Sequence, residues 1–381
     1  MAHARIDSSI PRHKAEGFDF PLGVYPVEPM NPIPGYTLNF ESADSVGYDA
    51  VEGREIENDD DDEGPASKSP SKPGPGSRGE RGDRSDDTPG MDEEEETWGQ
   101  WPDRYVFDIN ISASRVEALC RQLFALLPGR IYPILDVMGN DAHREIDPYI
   151  AYDLVGLERF HDALRRFRAW LFEDGTVGFG AMSEEPFFYV FVDEHKIVTV
   201  RAESAMKEQV ERILAAFDLR EVEKIAGADA AVHEHRGVLD PRVDAPDALT
   251  HDEIVEELRD QWGLTLNVDP MRNTDDDGDD LGITPWRCVV RVFDEHGSVR
   301  YAEVLLTAPH LQAAGDMAIA AVEHLDPALS PETPQDDQDP SDFDVLWADR
   351  TAEEDLLAML GDKTTQLDLK HGSTIAARWL A

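Results

Sequence analysis

The stretch TVGFGAMSEEPFFYVFVDEHKIVTVR, residues 176–201, decides the fold. Three short runs rich in Val, Phe and Ile, at 176–182, 187–192 and 197–201, are separated by EEP and DEH, two turn-prone breaks. Runs of four to eight such residues between breaks predict three consecutive strands. The middle run, FFYVFV, is apolar at both parities and predicts a sheet covered on both faces.

Amphipathic helices flank this core. Upstream, residues 105–111 alternate as a strand. Ser114 and Glu117 have capping-box spacing, and Val116, Leu119, Cys120, Leu123, Phe124 and Leu127 mark one helical face. Pro128-Gly129 stops that helix, and a buried strand is predicted over 131–138. A second helix is expected over about 153–172. A third follows the three strands, with Met206, Val210, Ile213, Leu214 and Phe217 inward.

Residues 226–249 are rich in Gly, Ala, Asp and Pro and read as a linker. A second unit starts at the Thr250/Glu253 capping box, whose helix carries Ile254, Val255, Leu258 and Trp262 and ends at Gly263. A strand at 264–268, hairpin arms at 286–293 and 299–307, and a helix opened by Pro309 follow. A further strand is expected at 343–347, with a short helix capped by Thr351 and Glu354. Helix, strand, hairpin and helix therefore recur, and Asp-Glu-His occurs at both hairpin turns, 193–195 and 294–296. The fold class is α+β: two small mixed-sheet domains, 105–225 and 250–381, read as a divergent duplication. Residues 331–342 form an acidic, disordered loop in the second.

Residues 1–104 are read as a disordered arm. Positions 18–40 interleave Phe18, Phe20, Tyr25 and Tyr36 with prolines, a composition that favours extended backbone and suits a docking peptide. Positions 52–96 are low-complexity, with acidic blocks at 59–63 and 92–96, and hold too little apolar surface to offset chain entropy.

The 381 residues carry 80 Asp and Glu against 35 Lys and Arg, a formal charge of -45. A polyanion of this kind is not expected to bind nucleic acid directly or to sit on an anionic membrane, because both need a basic footprint. Lysine occurs only eight times, a bias that salt adaptation or a GC-rich genome also produces. The two cysteines, Cys120 and Cys288, are expected to be buried thiols in a reducing compartment. There is no apolar run of about 18 residues and no signal-like leader, so the expected location is the cytoplasm.

No motif is specific enough to name a reaction, and no cofactor motif is present. Asp136, His143, Glu145 and Asp147 cluster after a predicted strand and are the candidate acid–base residues. Asn273, Asp275 and Asp277 alternate before Gly278 like hard-cation ligands, though position twelve of that run is Thr284 where a calcium loop has Glu. His233-Glu234-His235 spaces two imidazoles at i, i+2, where a helical zinc site needs i, i+4. The pair lies in the linker with no cysteine near, and is read as no metal site. Asp193-Glu194-His195 is read as turn chemistry. Arg159, Arg165, Arg166 and Arg168 form a basic patch, a target for an acidic block of the same chain. These features favour a non-enzymatic interaction or adaptor protein that binds a protein partner, a basic one by charge. The alternative is a small-molecule or metal-dependent hydrolase using loop 136–147.

Overall fold

The computed structural model describes residues 4–43, 102–240, 248–275, 278–293, 298–325, 343–361, 367 and 369–380. The chain opens with four strands: β1 (Lys14–Ala15), β2 (Phe18–Asp19), β3 (Val24–Pro26) and β4 (Gly35–Glu41). Then come β5 (Arg104–Asn110), α1 (Ala113–Phe124), β6 (Arg130–Met138), β7 (Ile146–Ala151), β8 (Val155–Gly156), α2 (Leu157–Arg166) and α3 (Arg168–Glu173). The predicted three-strand run forms β9 (Val177–Glu184), β10 (Phe187–Val192) and β11 (Val198–Glu203), and α4 (Lys207–Ala216) follows. Next are β12 (His233–His235), α5 (His251–Trp262) and β13 (Leu264–Leu266). The carboxyl-terminal part holds β14 (Thr284–Phe293), β15 (Val299–Ala308), α6 (Leu311–Leu325), β16 (Phe343–Arg350), α7 (Glu353–Leu360) and β17 (Ser373–Trp379).

The architecture is mixed α+β. The main sheet runs β13-β7-β6-β9-β10-β11-β5-β4, with β8 added beside β6, and each of these ladders is antiparallel. Along β6 and β11 burial alternates residue by residue, the mark of a sheet packed on one face. Leu135, Val137, Phe179, Val190 and Val200 share one core with Leu119 of α1, Leu164 of α2, Trp170 of α3, Leu214 of α4 and Leu258 of α5. The other face carries Tyr132, Asp136, Tyr189, Phe191 and Arg201, half-buried and outside that core. The expected two-sided cover of β10 is therefore incomplete at Tyr189 and Phe191. A second, four-stranded sheet, β16-β14-β15-β17, packs on α6 around Trp286, Val290, Val304 and Leu306.

Four sequence expectations are corrected. The arm is not disordered over 4–43: β4 extends the main sheet beside β5, and Phe18, Phe20 and Val24 form a small core with Ala228. The aromatic side chains drape over their own domain, because burying them there removes apolar surface from water. The acidic blocks at 59–63 and 92–96 and the loop at 331–342 lie outside the described residues. The domain boundary also moves. α5 and β13, expected to open the second unit, complete the core and sheet of the first, so the recurring element order does not divide into two like units. The second copy of Asp-Glu-His lies outside the described residues. Residues 226–240 form a strap, with β12 paired to β3 and Val238 fully buried.

The third and fourth corrections concern helix ends. The helix expected over 153–172 breaks at Phe167 into α2 and α3. Of the three predicted capping boxes, Thr250/Glu253 forms with both hydrogen bonds. α1 starts after Ser112 and α7 after Ala352, so Ser114 and Thr351 are not caps. Both cysteines are buried and free. No helix among the described residues is long and apolar enough to cross a membrane.

Candidate metal centre

The β10–β11 turn is built by Asp193. Its carboxylate accepts from the Ile197 amide at 2.7 Å, and its backbone carbonyl accepts from the Lys196 amide at 3.1 Å. Lys196 sits at φ +65°, the left-handed position that closes such a turn. This turn presents His195 at the end of the main sheet.

The strap presents two more imidazoles. β12 pairs antiparallel with β3, with His233 opposite Pro26 and His235 opposite Val24. In a strand, residues i and i+2 point to the same face. His233 and His235 are therefore on one side, and the exposed Glu234 on the other. The same spacing that fails on a helix makes a ligand pair on a strand.

All three rings meet. The His233 Nε2 lies 3.0 Å from the Nε2 of His195 and 3.0 Å from that of His235. The ring centroids are 4.7–4.8 Å apart and the ring planes cross at 69–75°. Each Nδ1 is turned outward. That of His233 donates to the Ala231 carbonyl at 2.7 Å, and that of His235 to the Gly175 carbonyl at 2.6 Å. The Nδ1 of His195 faces Glu194 Oε1 at 3.3 Å and Asp193 Oδ2 at 3.6 Å. A carbonyl can only accept, so Nδ1 of His233 and His235 carries the proton and Nε2 keeps its lone pair. The carboxylates favour the same tautomer at His195.

Inward-facing lone pairs repel unless a cation lies among them. Zinc holds imidazole nitrogen at about 2.0–2.1 Å, which puts neighbouring nitrogens of a tetrahedral site roughly 3.3 Å apart. The His233 Nε2 stands within a few tenths of an ångström of that spacing from the Nε2 of each of the other two rings. Ligating histidines also characteristically donate their second nitrogen to a carbonyl or carboxylate, as all three here are placed to do. The described residues supply three ligands to this cluster. Burial alone works to lower the His195 pKa, but the Asp193 and Glu194 carboxylates outweigh it and the net shift is upward. His235 moves down, through burial and then the neighbouring His195.

The backbone beneath the site is tightly determined. Gly23 and Gly175 approach so closely that a Cβ on either meets the other's backbone at about 2 Å (1.9 and 2.1 Å). The Arg236 amide donates to the Gly23 carbonyl at 2.8 Å, and the Gly175 amide to the Arg236 carbonyl at 3.2 Å. The fully buried Asp174 accepts from the Val238 amide at 2.8 Å and from the Thr176 hydroxyl at 2.6 Å. Arm, strap and sheet therefore meet at one point beside His235. Lys196 is buried there, its ammonium donating to the Val177 carbonyl at 2.6 Å, and burial pulls its pKa down to about 8.

The residues picked out from sequence fall elsewhere. Asp136 lies on the half-buried sheet face, where burial and then Glu194 push its carboxyl up to about 7. Asp147 is paired with Arg144 at 2.5 Å, and His143 donates its amide to Asp141 at 2.9 Å. Glu145 enters through its backbone, its carbonyl accepting from Gly139. Asn273 is buried and committed: its amide donates to the Gly282 carbonyl and the Thr284 hydroxyl, and its oxygen accepts from Arg350. Asp275 stabilises a turn by accepting from the Asp279 amide, and Asp277 lies outside the described residues. In the basic patch, Arg165 pairs with Asp162, Arg166 with Glu257, and Arg168 with Glu117, while Arg159 is exposed. Phe18, Phe20 and Tyr36 are buried in their own chain, and Tyr25 is exposed beneath the Arg236 guanidinium.

The sequence reading set His233 and His235 aside for their spacing and took His195 as turn chemistry, and the structure brings the three side chains together. A strand assignment for 233–235 was the one signal that would have paired the first two. Comparison with family models, curated proteins and solved structures finds no match to this chain.

Proposed function

We propose that this protein binds one divalent transition-metal ion, zinc by its ligand chemistry, through Nε2 of His195, His233 and His235, and uses it in metal-assisted hydrolysis. The observation that carries the reading is the convergence of three Nε2 atoms whose Nδ1 partners all lie outside the cluster. Three nitrogen ligands from the protein leave a tetrahedral ion one position for water or substrate. Zinc bound in this way lowers the pKa of its water to about 7 and polarises carbonyl or phosphoryl oxygens. Glu194 and Asp193 orient His195 and raise its basicity through Nδ1. This keeps the hydrolase alternative but moves its chemistry from loop 136–147 to the strap.

The test is cobalt substitution. The purified protein is expected to take up one Co²⁺ per chain with the intense visible bands of a four-coordinate ion. Those bands should shift when azide is added, because azide replaces the water. His233→Ala and His195→Ala should each abolish the spectrum. An octahedral spectrum, or uptake unchanged in both variants, overturns the site. A tetrahedral spectrum indifferent to azide retains the metal and overturns the open position.

The adaptor reading stands as a second proposal, supported by the net charge of -45. Long-range attraction would speed encounter with a basic protein. Pull-down at two salt concentrations tests it, since capture that does not weaken with salt counts against it.

A further inference from the structure

A cavity of about 330 Å³ lies between the main sheet and the second body, away from the histidines. Asp147 and Tyr149 of β7, Arg259 of α5, Leu311 and Gly315 of α6 and Asp349 of β16 all line it. Its size is at the small end of ligand pockets, which run from about 300 to 1,000 Å³.

Most of the charge in its wall is already spent. Asp147 is paired with Arg144 at 2.5 Å, and Asp344 with Arg291 at 2.7 Å. Arg259 donates one Nη to the Leu346 carbonyl and lies over the Tyr149 ring at 5.0 Å, and its Nε is sealed from solvent. Asp349 is different. It is only 3% exposed, and among the described residues no hydrogen bond or ion pair reaches its carboxylate. Arg287, opposite it on β14, is engaged with Glu303 at 2.8 Å. Neither Asp349 oxygen is closed off in the way that Arg259 Nε is, and the space that the residue lines is this cavity. After burial, the charges that weigh most on Asp349 are those of Asp147 and Asp141, ahead of Arg144 and Arg287, so the field there favours a cation. Leu266, Leu311 and Leu346 supply an apolar wall.

We propose that this cavity binds a small primary amine as its ammonium ion, the N–H groups donating to Asp349 and an apolar tail lying against the leucines. The unpaired wall group is an anion and an acceptor, so its complement is a cation that donates, and a charge-assisted hydrogen bond of this kind is the strong sort. An anion of the same shape meets Asp349 and is repelled. A bare divalent ion needs several oxygen ligands, and arginines hold the carboxylates of Asp147 and Asp344.

Isothermal titration calorimetry with isoamylamine and phenethylamine tests this on the full chain, with EDTA present so that the amine meets no metal. Saturable binding of at least one amine is expected. Isoamyl alcohol and 4-methylpentanoate, which keep the tail and lack the positive charge, should bind at least about tenfold more weakly. Asp349→Asn should weaken the amine by about tenfold or more while melting at the same temperature or higher, so loss of fold does not explain the loss. Gly315→Leu should block the cavity: a Cβ there meets Val345 Cγ2 at 3.9 Å, an ordinary contact, and the rest of the side chain fills the space. No binding of either amine, equal binding of the alcohol or the carboxylate, or unchanged affinity in Asp349→Asn or Gly315→Leu overturns the proposal and leaves the cavity to water.

Discussion

Nε2 of His195 and Nε2 of His233 stand 3.0 Å apart although 38 residues separate them in the chain. The first comes from a sheet turn and the second from a strap strand held by the amino-terminal arm and by Asp174 and Gly175. A cation at that point ties three separate chain segments together, and this gives the metal a measurable effect on stability.

Zinc is expected to raise the melting temperature with the logarithm of its free concentration once that exceeds Kd. A ligand at one hundred times its Kd adds about 2.7 kcal/mol. The strap and the 4–43 arm should become resistant to limited proteolysis in the same titration, and EDTA should reverse both changes. A melting temperature indifferent to zinc up to saturation would contradict the clasp.

Removing the partner of His235 should loosen the site without touching a ligand. Gly175→Ala forces a Cβ into the Gly23 backbone and displaces the carbonyl that accepts from His235 Nδ1. The expected cost is about 2–4 kcal/mol in urea unfolding, together with weaker zinc binding. A variant with wild-type affinity would show that the glycine contact does not position the ring.

Asp349 gives a pH signature of definite sign. Burial first, and then the charges of Asp147 and Asp141, push its carboxyl up to about 7. The folded state then holds a proton that the unfolded chain releases near pH 4, so stability falls as pH rises from about 4 towards 7, and the penalty is complete above it. Asp349→Asn should be close to wild type near pH 4 and more stable at pH 8 by roughly 2–4 kcal/mol, or several degrees of melting temperature. Equal melting at both pH values would remove the buried charge from consideration.

The two bodies are joined by a buried ion pair. Asp141 accepts from the Arg350 backbone amide at 2.8 Å and from its Nε at 2.9 Å. Its side chain is fully buried. Asp141→Ala strands the guanidinium and should cost about 3–5 kcal/mol, seen as an earlier unfolding step of the second sheet in hydrogen exchange. Loss of less than about 1 kcal/mol would mean that water replaces the carboxylate.

Much of the secondary structure was legible because it rests on local periodicity. The alternation of 176–201 marks three strands, and the Thr250/Glu253 box marks a helix start, since each depends on residues a few positions apart. The placement of α5 was not legible: its apolar stripe says that it packs, and nothing local says on which sheet. The histidine cluster was missed because composition suggested a linker at 226–249. Whether 233–235 forms a strand depends on Val24 to Pro26, more than 200 residues upstream.

Local order along the chain specified the alternation, the helical stripes, the buried thiols and the excess of negative charge, because each is a property of neighbouring residues. Folding specified where those elements meet. Long-range pairing alone brings a turn histidine to two strap histidines. Such contacts reflect the free energy of the whole packed arrangement, and no short window of residues contains it.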